Sequence, residues 1–308
     1  MRQHLFRLLA LFLLLLLSTR CRDAAGAPSD APAYRFPYRT VVSDASTACE
    51  LDAITRKLIT THRTEERELA KHAISRSEQE AFAGEMFSYI QGQFRFVATE
   101  DERSLHLQSM LDRMLPHLQH PKAYEVYLVH YPRPNAFTTA GNKIYFTTGL
   151  YEMAENEDEL AMIMGHELGH QENFHVLEHL QKIKKWEDKL SFRFFDLEID
   201  WSENAEVLAI LDEVLSIPFN QADELEADLA GCYLAYMAGF DPERGKDVFE
   251  KFRQMEGSQP RGLLENLACS HPESVVRFRC LREYIQKAKD RAERVELRKG
   301  RSSNGRSF

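Results

Sequence analysis

The residues His166-Glu167-Leu168-Gly169-His170 decide how the rest of the chain is interpreted. At about 100° per residue, His166 and His170 lie one helical turn apart and about 40° round the axis, so both imidazole rings can bind one metal ion. Glu167 lies between them in sequence and can contact a water molecule in an open coordination position without binding the metal itself. This stretch predicts a helix that carries two metal ligands and one general base.

The third ligand has to come from another part of the chain, because a catalytic zinc ion needs three protein ligands and one open position. The acidic stretch Asp223-Glu224-Leu225-Glu226-Ala227-Asp228 begins a second predicted helix, on which Glu224 and Asp228 lie one turn apart. One carboxylate can bind the metal while the other accepts a hydrogen bond from a ligating imidazole. We assign these roles to Glu224 and Asp228 respectively. An acidic first turn that complements the helix dipole explains the same residues equally well.

These residues belong to a longer series of motifs. In chain order the motifs are Asn135-Ala136-Phe137 with the run 144–150, residues 165–170 with His175 five positions later, Glu224 with Asp228, and His271-Pro272 with Arg277. Over about residues 99–290 the series resembles the zinc metalloprotease family that includes the heat-shock protease HtpX and the CAAX prenyl protease. The chain is similar to the soluble, exported branch of that family, because the transmembrane helices of the embedded members have no counterpart here.

The resemblance implies a role for each matched residue. Glu224 becomes the third zinc ligand, and Asp228 its partner behind a ligating histidine. His271 would face the metal, either donating a hydrogen bond to the oxyanion or filling the open position as a fourth ligand. Arg277 would orient a carboxylate or hold the loop around His271. The segment Asn135-Ala136-Phe137 would form the edge strand that binds an extended substrate.

The periodicity of the apolar residues predicts an α+β fold that is mainly α. Capping-box pairs such as Thr99 with Glu102 mark helix starts in the N-terminal third, and Leu105, Met110 and Met114 fit one face of the helix that follows. Alternation over residues 124–131, and a hairpin from 135–139 to 143–147, predict a small sheet. The expected architecture is a zincin-like helical peptidase domain with this sheet next to the histidine helix, which starts at Asn156 with Glu159.

The first 27 residues have the order of an export signal. Arg2 and Arg7 precede the apolar run 8–17, which is too short to cross a bilayer comfortably. We expect cleavage and export to the periplasm or cell envelope, with an uncleaved anchor, or lipid attachment and membrane association at Cys21, as alternatives. Residues 28–46 are then a linker, 47–98 an N-terminal helical segment, 99–297 the zinc metallopeptidase domain and 298–308 a disordered tail.

Charge and cysteine content exclude two classes of function. The net charge is −9 over 308 residues, and removing residues 1–27 takes away four arginines and one aspartate and leaves −12. Such an acidic chain is a poor candidate for nucleic-acid binding. None of the four cysteines after the signal lies in a C-x-x-C pair, so a thiolate zinc ribbon is not indicated. Their pairing is open, because four cysteines allow three connectivities and burial as free thiols fits equally well.

Two further histidines are expected to lie outside the metal site. His175 and His179 lie about 180° and 220° round the histidine helix from His166, too far to bind the same ion. We therefore expect them to be packing or surface residues.

The expected function is that of a zinc-dependent endopeptidase with one Zn²⁺ per chain, in which Glu167 is the general base. Its partners would be unfolded or extended polypeptides, above all unfolded or misassembled envelope proteins. Two alternatives stay open. The insert 171–218 would block the site in an envelope chaperone or assembly factor with little proteolysis. A structural zinc ion would join two helices in an interaction protein, although such a site has no need of Glu167.

Overall fold

The structure is a computed structural model that describes residues 76–120, 122–178, 180–181, 219–255 and 277–286. The predicted export signal, linker and tail lie outside these residues, as do His179, His271 and most of the insert 171–218. Within the part of the chain that is described, no helix combines the length and the apolar character that a membrane span requires.

The described residues form an α+β fold that is mainly α, as predicted. Short helical stretches also cover residues 175–178 and 277–286. The other elements are α1 (Arg76–Gln93), α2 (Glu102–Met114), a 3₁₀ turn (Leu115–His117), β1 (Glu125–Val129), β2 (Ala136–Thr139), β3 (Lys143–Thr147), α3 (Thr148–Met153), α4 (Glu157–Glu172), α5 (Gln221–Met237), α6 (Pro242–Gly245) and α7 (Asp247–Met255).

The three strands form one mixed sheet in the order β1-β3-β2. The predicted hairpin is confirmed: β2 runs antiparallel to β3, with Phe137 opposite Tyr145. Gly141 and Asn142 make the turn with positive φ angles of 78° and 58°, a conformation that glycine and asparagine tolerate. β1 is parallel to β3, which places the first strand on the other side of the hairpin. β2 is therefore an edge of the described sheet.

Local capping explains where the long helices begin. The Asn156 side chain accepts a hydrogen bond from the backbone N–H of Glu159 and starts α4, as predicted. The expected start of α2 at Thr99 is wrong by two residues, because the Asp101 carboxylate caps the backbone N–H of Arg103 and also pairs with its guanidinium. The Thr99 hydroxyl and the Asp101 carboxylate are both possible caps, and the ionised carboxylate is the one that caps the helix.

The buried face of α2 is also shifted from the expected one. Leu105 is 55% exposed, whereas Leu107 is buried with Met110 and Met114. Positions 107, 110 and 114 have the i, i+3, i+7 spacing of one helical face, and Leu105 lies off it.

Helices α4 and α5 form the centre of the core and are buried on almost every side. All residues of α4 from Asp158 to Glu172 are buried, and α5 is buried over most of its length. The sheet adds Ile144 and Phe146 to the same cluster, and α2 and α7 cover it from outside. Polar side chains on α4 and α5 therefore lie away from bulk water and need partners within the protein.

Candidate metal centre

Helices α4 and α5 touch backbone to backbone where the site lies. A Cβ atom added to Gly165 would lie 2.6 Å from the carbonyl oxygen of Gly231, and one added to Gly231 would lie 2.5 Å from the backbone nitrogen of His166. One turn further along, a Cβ atom on Gly169 would lie 2.8 Å from the carbonyl oxygen of Ala227. The three glycines let the helix axes approach closely, so short carboxylate side chains on α5 reach the imidazoles on α4.

His166, His170 and Glu224 bring one potential ligand atom each to within 4.8 Å of one another, and all three are buried. The Nε2 atoms of the two histidines are 3.0 Å apart, and Glu224 carboxylate oxygens lie 3.7 Å from Nε2 of His166 and 3.4 Å from Nε2 of His170. Two ligand atoms about 2.1 Å from one tetrahedral zinc ion are separated by about 3.4 Å. The group therefore fits one metal ion of this size, with two imidazoles and one carboxylate as donors.

A second layer of charge lies behind His166. Nδ1 of His166 is 2.9 Å from Oδ1 of Asp228, and Arg277 holds both oxygens of Asp228 at 2.8 Å. A third nitrogen of Arg277 lies 2.6 Å from Oε2 of Glu224. Burial raises the pKa of Asp228, but Arg277 and His166 outweigh it and hold that pKa below its ordinary value. An ionised Asp228 accepts a hydrogen bond from the Nδ1–H of His166 and leaves Nε2 of that ring available for a metal.

Glu167, the predicted general base, is buried and only 1% exposed. It follows His166 directly in α4, so its carboxylate starts from the same turn of helix as the first histidine. His271, the other residue with a predicted catalytic role, lies outside the described residues.

The expectation for His175 is wrong in its geometry. Helix α4 ends at Glu172, and Phe174 adopts a left-handed conformation with φ of 62°, so His175 does not continue the same helical path. Its ring is fully buried, with Nδ1 2.9 Å from Nδ1 of His170 and Nε2 3.3 Å from Oε2 of Glu226. His175 thus contacts a predicted ligand from behind, as Asp228 does for the other one.

The sequence carries only a weak signal for this arrangement of His175. Asn173 is a residue type that often ends helices, which indicates a stop before residue 174. Nothing in a phenylalanine predicts a positive φ, because bulky residues rarely adopt one. The surroundings of His175 are acidic: burial lowers its pKa, but Asp223 and Glu226 outweigh burial and raise that pKa above its ordinary value.

The predicted substrate-binding residues lie on and beside β2. Asn135, Ala136 and Phe137 are 5%, 3% and 3% exposed. The strand is tied to the site helix by Gln171, whose side-chain amide donates to the Thr138 hydroxyl at 2.6 Å and to the Thr139 carbonyl at 2.7 Å. Gln171 directly follows His170, so the edge strand and the donor group are joined through one residue of α4.

A family model described as peptidase family M48 matches residues 101–285, which is more than half of the chain. The chain is 29% identical over 170 residues to the mitochondrial metalloendopeptidase OMA1 of Schizosaccharomyces pombe, covering 55% of this chain and 49% of that protein. It is 30% identical over 160 residues to the OMA1 of Arabidopsis thaliana, covering 52% of this chain and 31% of that protein. It is also 24% identical over 154 residues to the beta-barrel assembly-enhancing protease of Escherichia coli K12, covering 47% of this chain and 32% of that protein.

The match with these relatives is partial, since the chain spans about half the length of the first of them and about a third of the other two. The matched segment nevertheless contains both helices of the donor group, the edge strand and Arg277. The chain therefore belongs to peptidase family M48, and the enzyme class that this membership and the named relatives support is metalloendopeptidase.

Proposed function

We propose that this chain is a zinc-dependent endopeptidase that cleaves unfolded or misassembled envelope proteins. One observation carries the proposal: two imidazoles and a carboxylate, all buried, converge to zinc-binding distances, and the buried Glu167 directly follows the first histidine in the same helix. Two imidazoles and one carboxylate are a common donor set of catalytic zinc sites, which keep a fourth position open. Glu167 distinguishes the site from a purely structural one, which has no need of a base.

When bound, a zinc ion at this site supplies an acidic water and polarises the scissile carbonyl. His166, His170 and Glu224 would hold it. Glu167 accepts the proton of the attacking water and delivers it to the leaving amine, a role that needs a carboxylate next to the open position. Because Arg277 contacts both Glu224 and Asp228, it holds these two buried carboxylates in position and supplies their counter-charge.

The edge strand β2 would give the substrate a place to bind once its buried residues are uncovered. The backbone N–H of Thr147 donates to the carbonyl of Asn135, so by the alternation of antiparallel pairing the backbone groups of Ala136 and Thr138 point away from β3. An extended peptide that pairs with these groups binds mainly through its backbone. Such binding selects unfolded segments more than particular sequences.

The proposal that the substrates are envelope proteins is supported by the N-terminal sequence and by one relative. Residues 1–27 have the order of an export signal, and the bacterial relative is named for enhancing β-barrel assembly. Fractionation of cells that express the full chain, with the mass of the purified protein, tests this part. Intact residues 1–27 on a cytoplasmic protein would refute export.

Incubation of the full chain with zinc and an unfolded protein such as casein tests the activity, with Glu167→Gln as the matched variant. We expect cleavage by the wild type, loss of activity by at least about 10²-fold in the variant, and equal zinc affinity in both. Zinc binding by both chains without cleavage by either would refute the endopeptidase. Suppression of casein aggregation under those conditions would favour the chaperone alternative instead.

His271→Ala distinguishes the two predicted roles of His271. If His271 donates to the oxyanion, the variant loses about 10²–10³-fold in kcat. If His271 fills the open position in the resting enzyme, the variant gains activity. Unchanged activity and unchanged zinc affinity would exclude both roles.

A further inference from the structure

Each histidine of the donor group has a buried partner on its Nδ1 side. His166 contacts Asp228, and Arg277 holds Asp228 from behind. His170 contacts His175, and Glu226 lies on the far side of the His175 ring. The first hydrogen-bond chain runs from imidazole to carboxylate to guanidinium. The second runs from imidazole to imidazole to carboxylate.

With both rings neutral, only one arrangement of protons lets the second hydrogen-bond chain coexist with metal binding. A metal on Nε2 of His170 requires that nitrogen to be unprotonated, so the neutral ring of His170 carries its proton on Nδ1. Nδ1 of His170 must then donate across the 2.9 Å contact, and Nδ1 of His175 must accept. His175 in turn carries its proton on Nε2, which faces the Glu226 carboxylate at 3.3 Å. Each hydrogen bond in the chain thus selects the tautomer of the next ring.

The backbone is bent to make this contact. In a continuous helix His175 would lie about 140° round the axis from His170, on a different face. The stop at Glu172 and the left-handed Phe174 turn the chain so that the His175 ring faces back toward His170. A positive φ is unfavourable for a residue as bulky as phenylalanine, so the rest of the fold must impose it.

We propose that His175 is a positioning residue, which holds His170 in the tautomer that binds metal and is itself oriented by Glu226. The inference rests on the proposed zinc site and adds to it a residue that does not contact the ion. Partners of this kind behind a ligating histidine commonly change metal affinity by about 10–100-fold.

Two variants separate the hydrogen bond from packing. His175→Phe fills a similar volume but cannot accept a hydrogen bond. His175→Asn keeps an oxygen acceptor near the position of Nδ1. Zinc affinity is measured on the full chain by competition with a chromophoric chelator, and thermal unfolding of the metal-free proteins checks that both variants fold.

We expect His175→Phe to bind zinc about 10–100-fold more weakly than the wild type, and His175→Asn to recover most of that loss. The ring ¹⁵N shifts of His170 in the zinc-loaded chain should report a proton on Nδ1 in the wild type and in His175→Asn. Equal zinc affinities of wild type and His175→Phe, or an equal loss in both variants, would overturn the role of His175 alone. A wild-type chain that binds no zinc would overturn the proposed function, and this inference with it.

Discussion

Substitution of Gly231 by alanine tests the claim that the crossing of α4 and α5 assembles the site. The added Cβ atom would lie 2.5 Å from the backbone nitrogen of His166 and 2.7 Å from the carbonyl carbon of Gly165. Both contacts are with backbone, so no side chain can move aside. To lengthen the 2.5 Å contact to 3.0–3.4 Å, the helices must separate locally by about 0.5–0.9 Å.

The expected effect on zinc binding exceeds the effect on folding. Overpacking a core costs about 1–3 kcal/mol, and the better helix propensity of alanine returns about 1 kcal/mol, so Gly231→Ala should lose roughly 0–2 kcal/mol of unfolding free energy. A metal site tolerates ligand displacements of only about 0.2 Å. Glu224 lies on α5 and the two histidines lie on α4, so separation of the helices moves the ligands apart. We therefore expect zinc affinity to fall by at least about 10–100-fold.

The assay combines chelator competition for zinc with urea unfolding of the metal-free chain. Gly84→Ala is the matched control, because Gly84 lies within α1 and an added Cβ atom would meet nothing within 4 Å. This control should gain roughly 0.5–1 kcal/mol in unfolding free energy and leave zinc affinity unchanged. If Gly231→Ala binds zinc as tightly as the wild type, the backbone contact between the helices does not position the ligands.

Three further predictions concern single side chains. Arg277→Met leaves Glu224 and Asp228 buried without their counter-charge, and it should cost the metal-free chain about 3–5 kcal/mol in urea unfolding; an unchanged unfolding free energy would contradict this. Asn220→Ala removes the side-chain acceptor that caps α5, so thermal unfolding should report a loss of about 1 kcal/mol, and no loss would argue against the capping box. Asp228 has a pKa held below its ordinary value, so it stabilises the fold above its unfolded pKa of about 3.9 and loses that contribution as the pH falls through the lower, folded pKa. Urea titrations of the metal-free chain should therefore show stability falling in acid, less steeply for Asp228→Asn, and equal slopes would contradict the assignment.

The parts of the fold that local signals determine could be predicted from the sequence. The extent of α5, Gln221–Met237, can be predicted from the sequence, because apolar residues fill the segment and Gly239, with φ of 85°, is a natural stop. The hairpin could be placed because Gly141 and Asn142 permit the turn. In the same way, two histidines one turn apart on a helix predict adjacent imidazoles without knowledge of the fold.

Contacts that depend on distant segments or on unusual backbone angles could not be predicted in this way. The parallel pairing of β1 with β3 joins segments without a local turn between them, and periodicity alone does not specify such a partner. The approach of Glu224 to the histidines depends on glycines in two helices that meet only in the folded chain. The position of His175 depends on a left-handed Phe174, which no residue preference favours.

The two hydrogen bonds from Gln171 to β2 have a consequence for where a substrate would be cut. The Gln171 side chain donates to Thr138 and Thr139, and its neighbour His170 belongs to the donor group. These two hydrogen bonds therefore fix the distance along β2 between its pairing edge and the donor group. In the proposed enzyme, a peptide that slides along β2 changes register in steps of two residues, because only alternate backbone groups pair. Cleavage sites that share one side-chain orientation on β2 should then be spaced in even numbers of residues along an unfolded segment.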